Sequence, residues 1–119
     1  MSLEVSTAVE PEYVRITVTG EYSFSCLFGF IEFVKKTSSK NERRRALIDC
    51  RQMTGRMTEV ERFEAGQHIA KIFGSGLRTA LMFPADGITK LGELTARNRG
   101  AKFLVTPCET EALEWLLAT

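Results

Sequence analysis

Long apolar runs are missing from this chain. The longest, Cys26 to Ile31, falls far short of the roughly 20 apolar residues that cross a bilayer. A membrane-spanning helix is therefore not expected. The opening Met1-Ser2-Leu3-Glu4 has no basic patch leading into an apolar stretch, so no secretory leader is expected either. Cysteine is scarce: Cys26, Cys50 and Cys108 are odd in number, widely spaced and without a CxxC pair. Such a set makes a poor disulfide framework and points to a reducing, cytoplasmic setting. Histidine is scarcer still. His68 stands alone, and nothing near it supplies a second ligand at metal-site spacing, so neither a metal nor another cofactor is expected. A basic excess is also absent, with 16 Lys and Arg against 15 Asp and Glu. Nucleic-acid binders usually show a strong positive balance or a basic face. The one basic cluster, Lys40 to Arg45, is interrupted by Glu42 and reads as a solvated loop before a strand.

What is present is enough for one core. A chain of 119 residues with 44% hydrophobic side chains fits a single domain over residues 1–119, without staples. Val14, Ile16 and Val18 alternate with Arg15, Thr17 and Thr19, the period of a half-buried strand. Leu3, Val5 and Thr7 make a weaker strand before it, completing an antiparallel hairpin. A first helix is expected from Ser23 as cap, with Leu27, Phe30 or Ile31, and Val34 as its stripe and Thr37-Ser38-Ser39 as its close. Ala46-Leu47-Ile48 has no polar alternation, so it reads as a central strand buried on both faces. Asp49 is expected to end it, with a loop from Cys50 to Met57.

Thr58 and Glu61 have capping-box spacing and open a second helix, whose apolar side is expected to be Val60, Phe63, Ile69, Ala70 and Phe73. A fourth strand runs from Thr79 to Phe83. Asp86 caps a third helix that turns Ile88, Leu91 and Leu94 to the core. Phe103 to Val105 is the fifth strand, and Thr106-Pro107-Cys108-Glu109 opens a last helix. The order β-β-α-β-α-β-α-β-α predicts an α/β fold, a mixed five-stranded sheet with four helices.

The residues offer little catalytic chemistry. Gly74-Ser75-Gly76 lacks the third glycine of a dinucleotide loop and leads into a strand. Glu59, Glu61 and Glu64 suit the positive end of a helix dipole. Cys108 lies where a helix dipole could lower a thiol pKa, although cysteine more often simply packs. What remains is a location. Ligands of open parallel sheets bind beyond the carboxyl ends of the strands. That edge gathers Asp49, Arg51, Gln52, Thr54, Gly55, Arg56 and Thr58, beside the amides of a helix start that could receive an anion. The same residues also fit an ordinary capped loop, because helix starts are polar anyway.

The element order, the segment Ala46-Leu47-Ile48-Asp49 and the closing Glu111-Ala112-Leu113-Glu114-Trp115-Leu116 resemble the SpoIIAA-like STAS proteins, relatives of anti-sigma factor antagonists. The resemblance covers nearly the whole chain in layout. It implies a mixed sheet with helices mainly on one side and a switchable, non-catalytic protein-binding module. Its expected partner is a protein, such as a kinase or an anti-sigma-type regulator, and a homo-oligomer is compatible with it. In that family a serine in an Asp-Ser-Ser-Gly-like stretch at the second helix is phosphorylated. Here the matching region offers Thr54 and Thr58 as phosphoacceptors, without the acidic residue before the hydroxyl pair. Asp49, Arg51, Gly55 and Arg56 are then the candidate partner- or anion-binding residues. The alternative is a carrier of a small hydrophobic ligand or an anion, suggested by eight phenylalanines, five of them between Phe24 and Phe63.

Overall fold

The computed structural model describes residues 3–118. Met1 and Ser2, read above for a leader, lie outside the described residues. The elements are β1 (Leu3–Val9), β2 (Val14–Glu21), α1 (Leu27–Lys40), β3 (Arg45–Thr54), α2 (Glu59–Phe73), β4 (Arg78–Met82), α3 (Leu91–Asn98), β5 (Phe103–Thr106) and α4 (Glu109–Leu116). Their order is the one expected. The sheet runs β1-β2-β3-β4-β5, with β1 antiparallel to β2 and the other neighbours parallel.

Alternation along the strands sorts side chains onto two faces. On one face Val14, Ile16, Val18, Ile48 and Phe103 pack under Ile31 and Val34 of α1, Ile69 and Phe73 of α2, and Ala96 of α3. On the other, Leu47, Ala80 and Met82 pack against Ala112 and Leu116 of α4. Three helices thus cover one face and one covers the other. Ala46, Leu47 and Ile48 are buried as a run, as a strand covered on both sides requires.

Several boundaries differ from the sequence expectation. Strand β3 does not stop at Asp49 but continues to Thr54, because β2 continues beside it as far as Glu21. The expected loop from Cys50 to Met57 shrinks accordingly. Ser23 makes no capping bond; its hydroxyl turns to Ser25 and Cys26, and a one-turn 3-10 segment, Phe24–Cys26, precedes α1. That helix runs through Thr37, Ser38 and Ser39 to Lys40, with Ser38 buried inward. Asp86 lies in a separate 3-10 turn, and α3 starts after a left-handed Lys90, which leaves Ile88 outside the helix. Cys108, not Thr106, is the N-cap of α4, so Pro107 lies outside the helix.

The largest correction concerns α2 and α3. Val60, Phe63 and Leu94, expected in the core, are exposed large hydrophobics. The inward stripe of α2 is Ala65, Ile69 and Phe73, and at about 100° per residue Val60 falls on the opposite side of the helix. Helix α3 lies against Gly66 of α2, where an added Cβ would stand 2.6 Å from the Gly92 carbonyl oxygen and 2.7 Å from Thr95 Cβ. Gly66 is therefore the contact that lets two backbones meet.

Gly66→Ala is expected to lose about 1–3 kcal/mol, the usual range for overpacking. Gly29→Ala on α1, where an added Cβ meets nothing within 4 Å, is expected to gain roughly 0.5–1 kcal/mol from helix propensity. Urea unfolding of the pair checks this; shifts of the same sign would refute the packing argument.

Candidate functional site

The end of β3 carries a bulge. Thr17 pairs with Asp49 and Thr19 with Gln52, so β3 holds one residue more than β2 over this stretch. Such an insertion re-aims the side chains that follow it. Within it, Cys50 points into the core under α1 and α2; after it, Met53 packs against that same core.

On the α4 side, Asp49 and Arg51 join Arg15 of β2 and Glu109 at the start of α4. Arg51 Nε donates to Asp49 Oδ1 at 3.0 Å, and its Nη2 donates to Asp49 Oδ2 at 2.9 Å and Glu109 Oε1 at 3.0 Å. Arg15 reaches both Glu109 oxygens, at 3.3 and 3.2 Å, and lies 3.6 Å from Asp49. Two cations and two anions are thus shared among β2, β3 and α4. The hydrogen bonds from Arg51 hold the Asp49 carboxyl below the usual carboxylate range, against the opposing effect of burial. Those from Arg15 act likewise on Glu109.

The loop beyond β3 is a different place. Thr54 is exposed, and its hydroxyl donates to the Gly20 carbonyl at 3.3 Å. Gly55 has φ +99°, a region L side chains rarely adopt, and an added Cβ would press on the Tyr22 carbonyl oxygen at 3.3 Å. Arg56 is exposed and, among the described residues, joins none of the ion pairs. Thr58 caps α2: its Oγ1 accepts from the Glu61 amide at 3.1 Å, and Glu61 Oε1 accepts from the Thr58 amide at 3.1 Å. The capping box read from sequence is therefore present. Tyr22 donates its hydroxyl to the same Glu61 oxygen at 3.0 Å. Burial first, and then the Glu61 carboxylate, push the Tyr22 pKa upward, so the phenol keeps its proton.

The residues expected to form one rim thus divide in two. Asp49 and Arg51 are committed to Glu109 and Arg15, whereas Thr54, Gly55, Arg56 and Thr58 form a corner beside Tyr22. Sequence reading missed Arg15, Glu109 and Tyr22. Arg15 had a usable signal: it is a long cation in the middle of a strand whose outer face a helix can cover. The outward surface of α2 and α3 follows on from this corner, with Val60 67%, Phe63 40% and Leu94 55% exposed. Arg99 stands 5.5 Å over the Phe63 ring.

Between the sheet and helices α1 and α2 lies an apolar cavity of about 110 Å³, lined by Leu27, Phe30, Ile31, Met53, Ile69 and Phe83. The cysteines are dispersed. Cys50 is buried, which pushes its pKa up to about 12, away from thiolate chemistry. Cys108 is exposed at the head of α4, with the sheet between it and His68 of α2. Among the described residues no three His, Cys, Asp or Glu side chains come together as a metal-binding group, and no helix is long and apolar enough to cross a membrane.

Because Asp49 and Glu109 have depressed pKa values in the folded state, their stabilisation is present above the ordinary values of 3.8 and 4.5. It is lost as pH falls through the lower folded values. Asp49→Asn is expected to cost about 1–2 kcal/mol at neutral pH and to flatten the acid decline. Urea unfolding across the acid range measures both, and parallel declines for variant and wild type would rule the network out as their cause.

No protein-family model matches the chain, and no curated protein matches it by sequence. Solved structures do match over nearly its full length. An anti-sigma factor antagonist from Mycobacterium paratuberculosis aligns at TM-score 0.67 and 13% identity, covering 98% of this chain and 96% of that one. The anti-sigma factor antagonist SpoIIAA in its unphosphorylated form aligns at TM-score 0.54 and 13% identity, covering 95% and 94%. A DUF3478-family protein with a SpoIIAA-like fold from Shewanella loihica aligns at TM-score 0.51 and 14% identity, covering 96% and 93%. The resemblance drawn from the sequence therefore holds in three dimensions: this chain has the SpoIIAA-like fold.

Proposed function

We propose that the chain is a single-domain, non-catalytic regulatory module of the cytoplasm. In this reading it binds a protein partner through the corner from Thr54 to Thr58 and the outward surface of α2 and α3. The exposure of Val60, Phe63 and Leu94 carries this reading. Exposed large apolar side chains rimmed by polar residues fit the apolar core and polar rim of a protein-binding surface. The fold adds support, because two of its structural neighbours are named as anti-sigma factor antagonists. The partner class this suggests is an anti-sigma-type regulator or a kinase.

Phosphorylation of Thr54 or Thr58 would act as the switch. A phosphoryl group brings about −1.5 to −2 charge. At Thr54 it would replace one long hydrogen bond and lie close in sequence to Arg56, which joins no ion pair among the described residues. At Thr58 the helix N-terminus would favour it, but the Glu61 carboxylate already bonds the Thr58 amide and would repel it. Thr54 is the freer acceptor. Asp49 and Arg51 contribute to this surface by fixing the end of β3, and Arg56 is the cation left to meet an anion.

The test is affinity capture with quantitative mass spectrometry for Thr54→Ala, Thr54→Glu, Thr58→Ala, Thr58→Glu and Phe63→Glu. Phe63→Glu is expected to weaken the main partner at least about tenfold, with little loss of stability. Thr54→Glu is expected to do the same while Thr54→Ala does not. An identical partner set for all five would sink the proposal.

The cavity favours a second reading, a carrier of a small apolar molecule. Its volume approaches the roughly 150 Å³ that holds benzene in an engineered apolar cavity. Native mass spectrometry of freshly purified protein is then expected to show an added mass that disappears on denaturation. A bare chain mass would count against it.

A further inference from the structure

The two edges of the sheet are finished differently. Strand β5 is four residues long, and its outer backbone is occupied by side chains. Lys90 Nζ donates to the Val105 carbonyl, and Glu93 Oε1 accepts from the Val105 amide at 3.0 Å. Arg97 bonds the other Glu93 oxygen at 2.9 Å, which holds this buried carboxylate in place. That edge is closed to another strand.

Among the described residues, strand β1 has no such cover. It is seven residues long, pairs with β2 from Leu3↔Gly20 to Val9↔Val14 without a shift, and contains neither proline nor lysine. A short strand, a register shift, a proline or a lysine is what natural sheets use to blunt an edge. The Glu10 amide donates to the Tyr13 carbonyl at 2.8 Å, so the even-numbered residues bond inward. Leu3, Val5, Thr7 and Val9 therefore turn their amides and carbonyls outward, and among the described residues none of these groups finds a partner.

The side chains beside this edge are apolar. Val5, Thr7 and Val9 stand opposite Val18, Ile16 and Val14, which places them on the face that α1 covers. Val5 and Val9 are nevertheless 39% and 48% exposed. Phe28 and Glu32 of α1 meet His68 of α2, so the side of α1 carrying Phe30 and Phe33 faces the β1 edge. Those two rings stack at 6.3 Å, and Phe33 is 39% exposed.

We infer that two copies of the chain associate by pairing β1 antiparallel to β1 across a twofold axis, forming one ten-stranded sheet. The strand is its own complement. A twofold pairing that keeps each side chain on its own face puts either Ser6 or Thr7 at the axis. Thr7 at the axis would set Glu4 against the partner's Glu10, two like charges. Ser6 at the axis sets Glu4 against the partner's Ala8, Leu3 against the partner's Val9 and Val5 against the partner's Thr7. All outward-bonding residues then meet, giving about eight backbone hydrogen bonds. The edge lies across β2 from the Thr54 corner, Leu3 pairing with the same Gly20 whose carbonyl accepts from Thr54, but the pairing uses none of that corner's residues, so this inference does not rest on the proposed function.

Sedimentation of the full chain over a micromolar-to-millimolar series tests it, together with hydrogen exchange. Wild type is expected to approach twice the chain mass, with the amides of Val5, Thr7 and Val9 gaining protection as concentration rises. Thr7→Pro removes only an outward amide, and Val5→Lys with Val9→Lys charges the edge. Each is expected to raise the dissociation constant at least about tenfold. Phe63→Glu is expected to associate as wild type does. A wild type that stays monomeric throughout overturns the inference, including the case in which this edge takes up only an extended peptide. So does a folded lysine variant that dimerises normally, and that variant decides the matter if Thr7→Pro fails to fold.

Discussion

The molecule is organised by one constraint: β3 has to be covered on both faces. Ala46, Leu47 and Ile48 leave almost nothing to water, so helices must lie above and below them. Helix α4 supplies one layer, and α1 with α2 supplies the other. Parallel pairing of β2, β3, β4 and β5 follows, because each intervening helix carries the chain back across the sheet. Every polar feature near the end of β3 is placed relative to this double burial.

The layer that α4 forms also needs an electrostatic closure. At the rim of that face, Asp49, Arg51, Arg15 and Glu109 exchange charge-assisted hydrogen bonds between strands and helix. On the other face the same strand runs through its bulge into Gly55 and the capped start of α2. One strand end thus does two jobs. It locks α4 with paired charges and presents the exposed corner from Thr54 to Thr58 on the far side of the bulge. Mutual pairing takes Asp49 and Arg51 out of competition for an external ligand, whereas Arg56 in the corner joins no ion pair among the described residues.

The α2–α3 pair explains why apolar side chains reach the surface. A helix packed on the sheet through Ala65, Ile69 and Phe73, and on a neighbouring helix through Gly66, has no interior side left for Val60 or Phe63. The surface of α2 is therefore apolar in two directions, one for folding and one available for recognition. Edge β1 repeats the theme: its side chains continue the apolar face of the hairpin beyond the reach of α1.

Local rules made the element order, the doubly buried strand, the hairpin and the α2 capping box legible in the sequence. Each depends on residues close in the chain: alternation in Val14 to Thr19, an unbroken apolar run at Ala46, and hydroxyl and carboxylate three apart at Thr58 and Glu61. The bulge, the partners of Arg15 and the fate of Val60, Phe63 and Leu94 were not legible there. The first depends on how far β2 accompanies β3, and the second joins residues 94 positions apart. The third depends on which side of α2 the neighbouring helix occupies. Hydrophobic patterning states that a side chain is apolar; only the packing of elements distant in sequence decides whether anything covers it.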